Sequence, residues 1–185
     1  MSVNIGDKWV LVEKIVESFY QDIVKRLKAR STLERKTNIF LHAVVGRASN
    51  ISKLERTIVT VLGDYAPMIF RVFFEDTKNL DPPFDFHGWL RDRELWVKVV
   101  SSDEAFNKAV RELVEHESYK YREPVILTLQ GDYFDTRKIG RAVWYSPQTS
   151  WYIVAGEGSY KRFRDIVYNV ASRYRDEIWS LMKET

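Results

Sequence analysis

Two short apolar runs hold the residues best suited to chemistry. FDFHGWL at 84–90 carries Asp85, and ELWVKVVS at 94–101 carries Lys98 in its middle. A lysine inside an apolar strand is costly unless its ammonium group is partnered or reaches solvent. A carboxylate and an ammonium group brought together by adjacent strands would suit a divalent ion and a phosphate ester. Magnesium is a hard cation that prefers carboxylate and carbonyl oxygens. Bound, it polarises a phosphodiester and lowers the pKa of its water, while a nearby lysine stabilises charge on the phosphoryl oxygens. Side chains two apart on a strand point the same way, so Glu94, Trp96 and Lys98 share one face.

The elements that must position these residues are legible as periodicities. Residues 7–29 place Val12, Ile15, Val16, Phe19, Ile23 and Leu27 on one helical face behind Asp7 as cap. NIFLHAVVG (38–46) has the length of a strand. SKLE at 52–55 has capping-box spacing and opens a helix to about Leu62. MIFRVFFED (68–76) is rich in β-formers and predicts a strand. The two runs around Asp85 and Lys98, joined by RDR, predict a hairpin. SSDE (101–104) opens a second helix with Phe106, Ala109, Val110, Leu113 and Val114 inside, and VILTLQG (125–131) reads as a buried strand. RAVWYS and SWYIVAG predict a second hairpin about Pro147, and Ser159 caps a closing helix carrying Phe163, Val167 and Val170. From Ser52 to Gly131 the order is helix, strand, strand, strand, helix, strand, which implies an α/β fold with a mixed sheet flanked by helices.

That order, with an aspartate on the second strand and WVK on the third, resembles the PD-(D/E)XK nuclease superfamily of restriction enzymes and Holliday-junction resolvases. The resemblance implies a restriction-endonuclease-like core (αβββαβ) over 51–131 in a single domain 1–185. An N-terminal helix and basic segment (1–36) and a hairpin plus C-terminal helix (137–185) would flank that core. It also implies a DNA-processing endonuclease using magnesium or manganese, and a homodimer, since many relatives cut two strands as pairs. By resemblance Asp85 is the first metal-binding acid, the carbonyl of Val97 a further ligand, and Lys98 the lysine beside the attacking water; Glu55 matches a first-helix glutamate. The family's second acid falls on Trp96, a departure that leaves Glu94, one pleat repeat of about 7 Å away, as the substitute carboxylate. Each residue has a plainer reading: Glu55 completes a capping box, Asp85 shapes a turn after Pro82-Pro83, and Glu94 is solvated. Two rivals follow. One is the same fold kept as a catalytically inactive nucleic-acid-binding or assembly subunit. The other is a ferredoxin-like order over 38–130, which requires FDFHGWL to be loop.

The 185 residues, 45% hydrophobic and 30% charged, are those of a globular protein. No apolar run approaches the roughly 20 residues that span a bilayer, and no signal-peptide layout opens the chain, so an intracellular, cytoplasmic location is expected. With no cysteine, disulfides and thiol nucleophiles are excluded. Few glutamines beside abundant Lys, Arg and Glu match a thermophile's residue economy. The net charge is only +3, but basic residues cluster at Lys25, Arg26, Lys28, Arg30, Arg35 and Lys36. A second cluster comprises Arg137, Lys138, Arg141, Lys161, Arg162 and Arg164, interleaved with Trp144, Trp151, Tyr152 and Phe163. Cations neutralise phosphates and exposed aromatic rings stack on bases, so nucleic acid, DNA above all, is the expected partner. The plainer reading is core aromatics alternating with solvated charges. His42, His87 and His116 are too scattered for a zinc site, and GEGS (156–159) reads as a plain turn. Asp76-Thr77-Lys78 matches the D-X-K letters but is set aside because a proline-rich loop follows.

Overall fold

A computed structural model of the chain describes residues 4–28, 39–40, 52–102, 111–113, 124–131, 135–139 and 142–183. They group into two compact units: Met1–Tyr65 with Lys161–Thr185, and Ala66–Tyr160. The boundaries between the units fall inside two helices.

The first unit is built from helices. Helix α1 (Ile5–Lys28) buries Trp9, Val12, Val16, Phe19, Tyr20, Ile23 and Val24, the three-and-four spacing of a single apolar stripe. The first part of α2 (Ser52–Arg71) adds Leu54, Ile58, Val61 and Leu62. Most of α4 (Ser159–Lys183) adds Phe163, Val167, Val170, Ala171 and Ile178. Phe40 is fully buried here: its ring lies 4.8 Å from Phe19 and its carbonyl accepts the Tyr20 hydroxyl at 2.8 Å. Residues 39–40 are helical, against the strand expected for 38–46; the remainder of that run lies outside the described residues. Exposed ion pairs from Arg173 to Glu13 (2.9 Å) and Lys28 to Glu177 (2.8 Å) add little stability.

The second unit holds a mixed six-stranded sheet flanked by helices. Its strands are β1 (Glu75–Asn79), β2 (Phe86–Leu90), β3 (Arg93–Val100), β4 (Pro124–Thr128), β5 (Arg137–Ile139) and β6 (Ala142–Tyr145), in the order β1-β2-β3-β4-β6-β5. Strands β1, β2 and β3 run antiparallel in turn, β3, β4 and β6 run parallel, and β5 closes the far edge antiparallel to β6. Strand β4 is buried along its whole length, as a central parallel strand covered on both faces must be. At the near edge β1 is short, charged and bulged between Glu75 and Lys78, features that discourage further pairing.

Three sequence expectations change. MIFRVFF does not form a strand: α2 runs on to Arg71, and β1 begins only at Glu75. Ala66, Ile69, Phe70 and Phe73 are all buried, continuing the helical spacing of Leu62, and that periodicity overrides the β propensity of the letters. Asp76 and Lys78 consequently lie on a strand, with Asp76 at φ 48° beside the bulge. SWYIVAG is not the return arm of a hairpin but helix α3 (Pro147–Ala155). Pro147 opens it and the Ser146 hydroxyl accepts the Thr149 N–H at 3.2 Å, so the Ser-Pro pair starts a helix. Finally, Phe86–Leu90 is a paired strand, so the ferredoxin-like order does not describe this sheet. The 84–101 hairpin is found as expected, with Leu90 paired to Arg93 across a two-residue turn.

The opposite face of β2 packs closely. A Cβ on Gly88 would sit 3.0 Å from Thr77 Cγ2 and 3.2 Å from Phe74 Cβ, so a larger residue would make these neighbours give by a few tenths of an ångström. Trp151 on α3 is fully buried between Phe70 (4.8 Å) and Phe73 (5.9 Å), and its indole N–H donates to the Leu129 carbonyl at 2.8 Å.

Candidate active site

The site is built on one face of β2 and β3. Along β3, Leu95, Val97 and Val99 turn to the other face, leaving Glu94, Trp96 and Lys98 together on this one. The hairpin pairs Phe86 with Val97 and His87 with Trp96. Asp85 immediately precedes β2, and the Lys98 charge acts on its carboxyl. Asp85 is fixed from both of its ends: its N–H donates to the Val97 carbonyl at 2.8 Å, and its carboxylate accepts the Val99 N–H at 2.6 Å. Lys98 then reaches the helical residues 111–113, where its Nζ lies 3.8 Å from Glu112 Oε2. Leu113 anchors that turn in a cluster with Phe84, Val100, Ile126, Ala142 and Trp144.

Asp85, Lys98 and Glu112 are thus one electrostatic group. Burial pushes the Asp85 carboxyl above its ordinary range; the Lys98 charge and the Val99 N–H pull it back, and the Glu112 charge raises it further. Lys98 is only 19% exposed at its side chain and Glu112 41%, so the ammonium group lies inward and the second carboxylate at the rim.

Glu94 does not join them. Its carboxylate lies 2.5 Å from His87 Nε2, at the other end of the face, with Trp96 in between. The Trp96 ring meets Phe84 edge-on at 5.3 Å and His87 at 6.0 Å. Glu55 is buried on α2 and falls in the first unit. The Val97 carbonyl, engaged by the Asp85 N–H, lies in the plane of the sheet. His42 and His116 lie outside the described residues.

Sequence reasoning missed Glu112. It stands fourteen residues after Lys98, and only the packing of its helical turn over the sheet brings it back. The available signal was Leu113, assigned to the buried stripe of that helix: a buried Leu113 leaves its neighbour at the boundary with solvent.

Asp85 and Glu112 carry carboxylate oxygens, the donor type that hard cations prefer. Among the described residues no group of three or more His, Cys, Asp or Glu side chains converges to hold a metal ion.

The expected nucleic-acid surface is changed in part. Trp144, Trp151 and Phe163 are core residues, so these rings cannot stack on bases; Tyr152 is 61% exposed. Among the basic residues, Lys28 pairs with Glu177, Arg26 lies 4.0 Å from Asp22, and Lys161 lies 3.1 Å from Asp165. Arg137 lies over the Trp144 ring and Arg162 over Trp9. Lys25, Lys138 and Arg164 are exposed, while Arg30, Arg35, Lys36 and Arg141 lie outside the described residues. Gly156 and Gly158 take positive φ in the turn between α3 and α4, as a plain connection requires. Ser159 does not serve as the expected cap: its hydroxyl lies 2.7 Å from the Trp151 carbonyl and 2.6 Å from that of Gly156.

Among the described residues no helix is long and apolar enough to cross a membrane. Comparison with family models, with curated proteins and with solved structures returns no match.

Proposed function

We propose that residues 66–160 carry a metal-dependent nuclease site of the PD-(D/E)XK type, hydrolysing phosphodiester bonds in DNA. The observation that carries this reading is the convergence of Asp85, Lys98 and Glu112 at one end of a sheet face. The succession α2, β1, β2, β3, helical residues 111–113 and β4, with β4 parallel to β3, supports it as the strand order the resemblance implies.

In this reading Asp85 and Glu112 hold magnesium or manganese, and Glu112 takes the role that the Trp96 position leaves unfilled. The bound ion would supply Lewis-acid polarisation of the phosphodiester and a water of lowered pKa. Lys98 offers its protons to a phosphoryl oxygen or to the attacking water. The Val99 N–H orients the Asp85 carboxylate, and the burial that raises its pKa also makes it a stronger seat for a cation, whose charge offsets the desolvation.

The test is nicking of plasmid or branched DNA with magnesium or manganese. Cleavage that requires the metal and is lost in Asp85→Ala and Lys98→Ala supports the site; cleavage that survives both substitutions refutes it. A second reading, an inactive nucleic-acid-binding or assembly subunit, is favoured by Trp96 standing packed where the second acid would be. DNA binding that weakens steeply with salt, with no cleavage under either metal, selects that reading.

A further inference from the structure

The face that carries Lys98 continues outward as a ledge of rings. Trp96 is partly buried and held edge-on by Phe84 and His87. Beyond it on β2 stands Trp89, 38% exposed although it is among the largest apolar side chains in the chain. Trp89 pairs on its two sides with Glu94 and Glu75, and His87 with Trp96 and Lys78. The face therefore reads as successive rows: Asp85 and Lys98, then Lys78, His87 and Trp96, then Glu75, Trp89 and Glu94. Adjacent rows are one pleat repeat apart, about 7 Å, comparable to the reach of one extended nucleotide. Of the two carboxylates that flank Trp89, Glu94 is engaged by His87, and Glu75 sits at the bulged edge on β1.

We propose that this ledge is a base-stacking platform for single-stranded nucleic acid, whose strand lies along β2 and β3 with bases on Trp89 and Trp96 and a phosphate at Lys98. A base in a duplex has its faces covered by neighbouring bases and cannot present one to an indole. An unpaired base can, and stacking tolerates any sequence because every base has a π-face. Lys78 and Lys98 supply cations in the rows beside the rings, as a backbone-tracking groove requires. The phosphate at Lys98 rests on the proposed nuclease reading; the ring ledge does not.

The experiment measures binding of a labelled oligonucleotide, as a single strand and as its duplex, by fluorescence anisotropy in EDTA so that no cleavage intervenes. The single strand is expected to bind more tightly than the duplex. Trp89→Ala should weaken the single strand at least about fivefold and leave the duplex unchanged, with Trp89→Phe restoring most of the loss; matching circular dichroism melts show the variants folded. Equal binding of the two forms, tighter duplex binding, indifference to Trp89→Ala, or no binding of either oligonucleotide would each overturn the ledge. Metal-dependent cleavage is scored separately. Cleavage without single-strand preference sinks the ledge alone, whereas single-strand preference without cleavage sinks the nuclease reading alone.

Discussion

The two ends of one sheet face hold the same ingredients in different settings. At the outer end His87 and Glu94 meet at 2.5 Å, with the Glu94 side chain 52% exposed. At the inner end Lys98 lies 3.8 Å from Glu112, both charges act on Asp85, and burial raises the Asp85 carboxyl above its ordinary pKa. At the outer end the Glu94 carboxylate is half-exposed to water, so its contact with His87 contributes little. At the covered end a carboxylate and an ammonium group give up solvent and depend on each other, the condition under which titratable groups become chemically useful. Lys98 and His87 are covered alike, at 19% and 15% exposure; what separates the ends is the carboxylate, partly buried at Asp85 and exposed at Glu94.

The sharpest way to break this comparison is to remove the inner cation. Lys98→Met should lower metal-dependent cleavage by about a hundredfold or more, measured as initial rates on supercoiled plasmid. Glu94→Gln should leave the rate within about threefold; an equal loss in both variants would mean that the two ends act together. Glu112→Gln should raise the metal concentration needed for half-maximal cleavage by at least about tenfold, read from a manganese titration. An unchanged metal requirement would remove Glu112 from the site.

A smaller effect concerns stability against pH. Burial holds the Asp85 pKa in the folded chain above that of the unfolded chain, so across the carboxylate range the folded state binds the proton more tightly. Its stability contribution is therefore full at acid pH and declines as pH rises through that window. Asp85→Asn keeps an acceptor for the Val99 N–H and removes the charge. Urea denaturation should show the variant gaining on the wild type as pH rises from below the carboxylate range to neutrality. A variant that instead loses ground would mean that the ionised carboxylate is favoured in the fold. The smallest change is expected at the open end, where His87→Ala should shift stability by about 1 kcal/mol or less.

Local signals were sufficient for the hairpin: two alternating runs about a short charged turn pair as neighbouring strands, with Lys98 on one and Asp85 immediately before the other. They failed where two signals competed. MIFRVFF is strand-like by composition but helical by the spacing of its buried residues, and SWYIVAG has β-branched residues behind a Ser-Pro helix start. They also misled at the second acid. Glu94 shares a strand with Lys98, but a strand extends, and four residues along it carry a side chain roughly 13 Å away.

What the order of residues determined by itself was the β2–β3 hairpin and the buried stripes of α1 and α4, consequences of periodicity within a few residues. What tertiary structure alone decided was which carboxylate completes the group. Glu112 is remote from Lys98 along the chain and close in space because Leu113 draws its helical turn onto the sheet. Burial of that apolar anchor is a property of the assembled core, and no local spacing rule contains it.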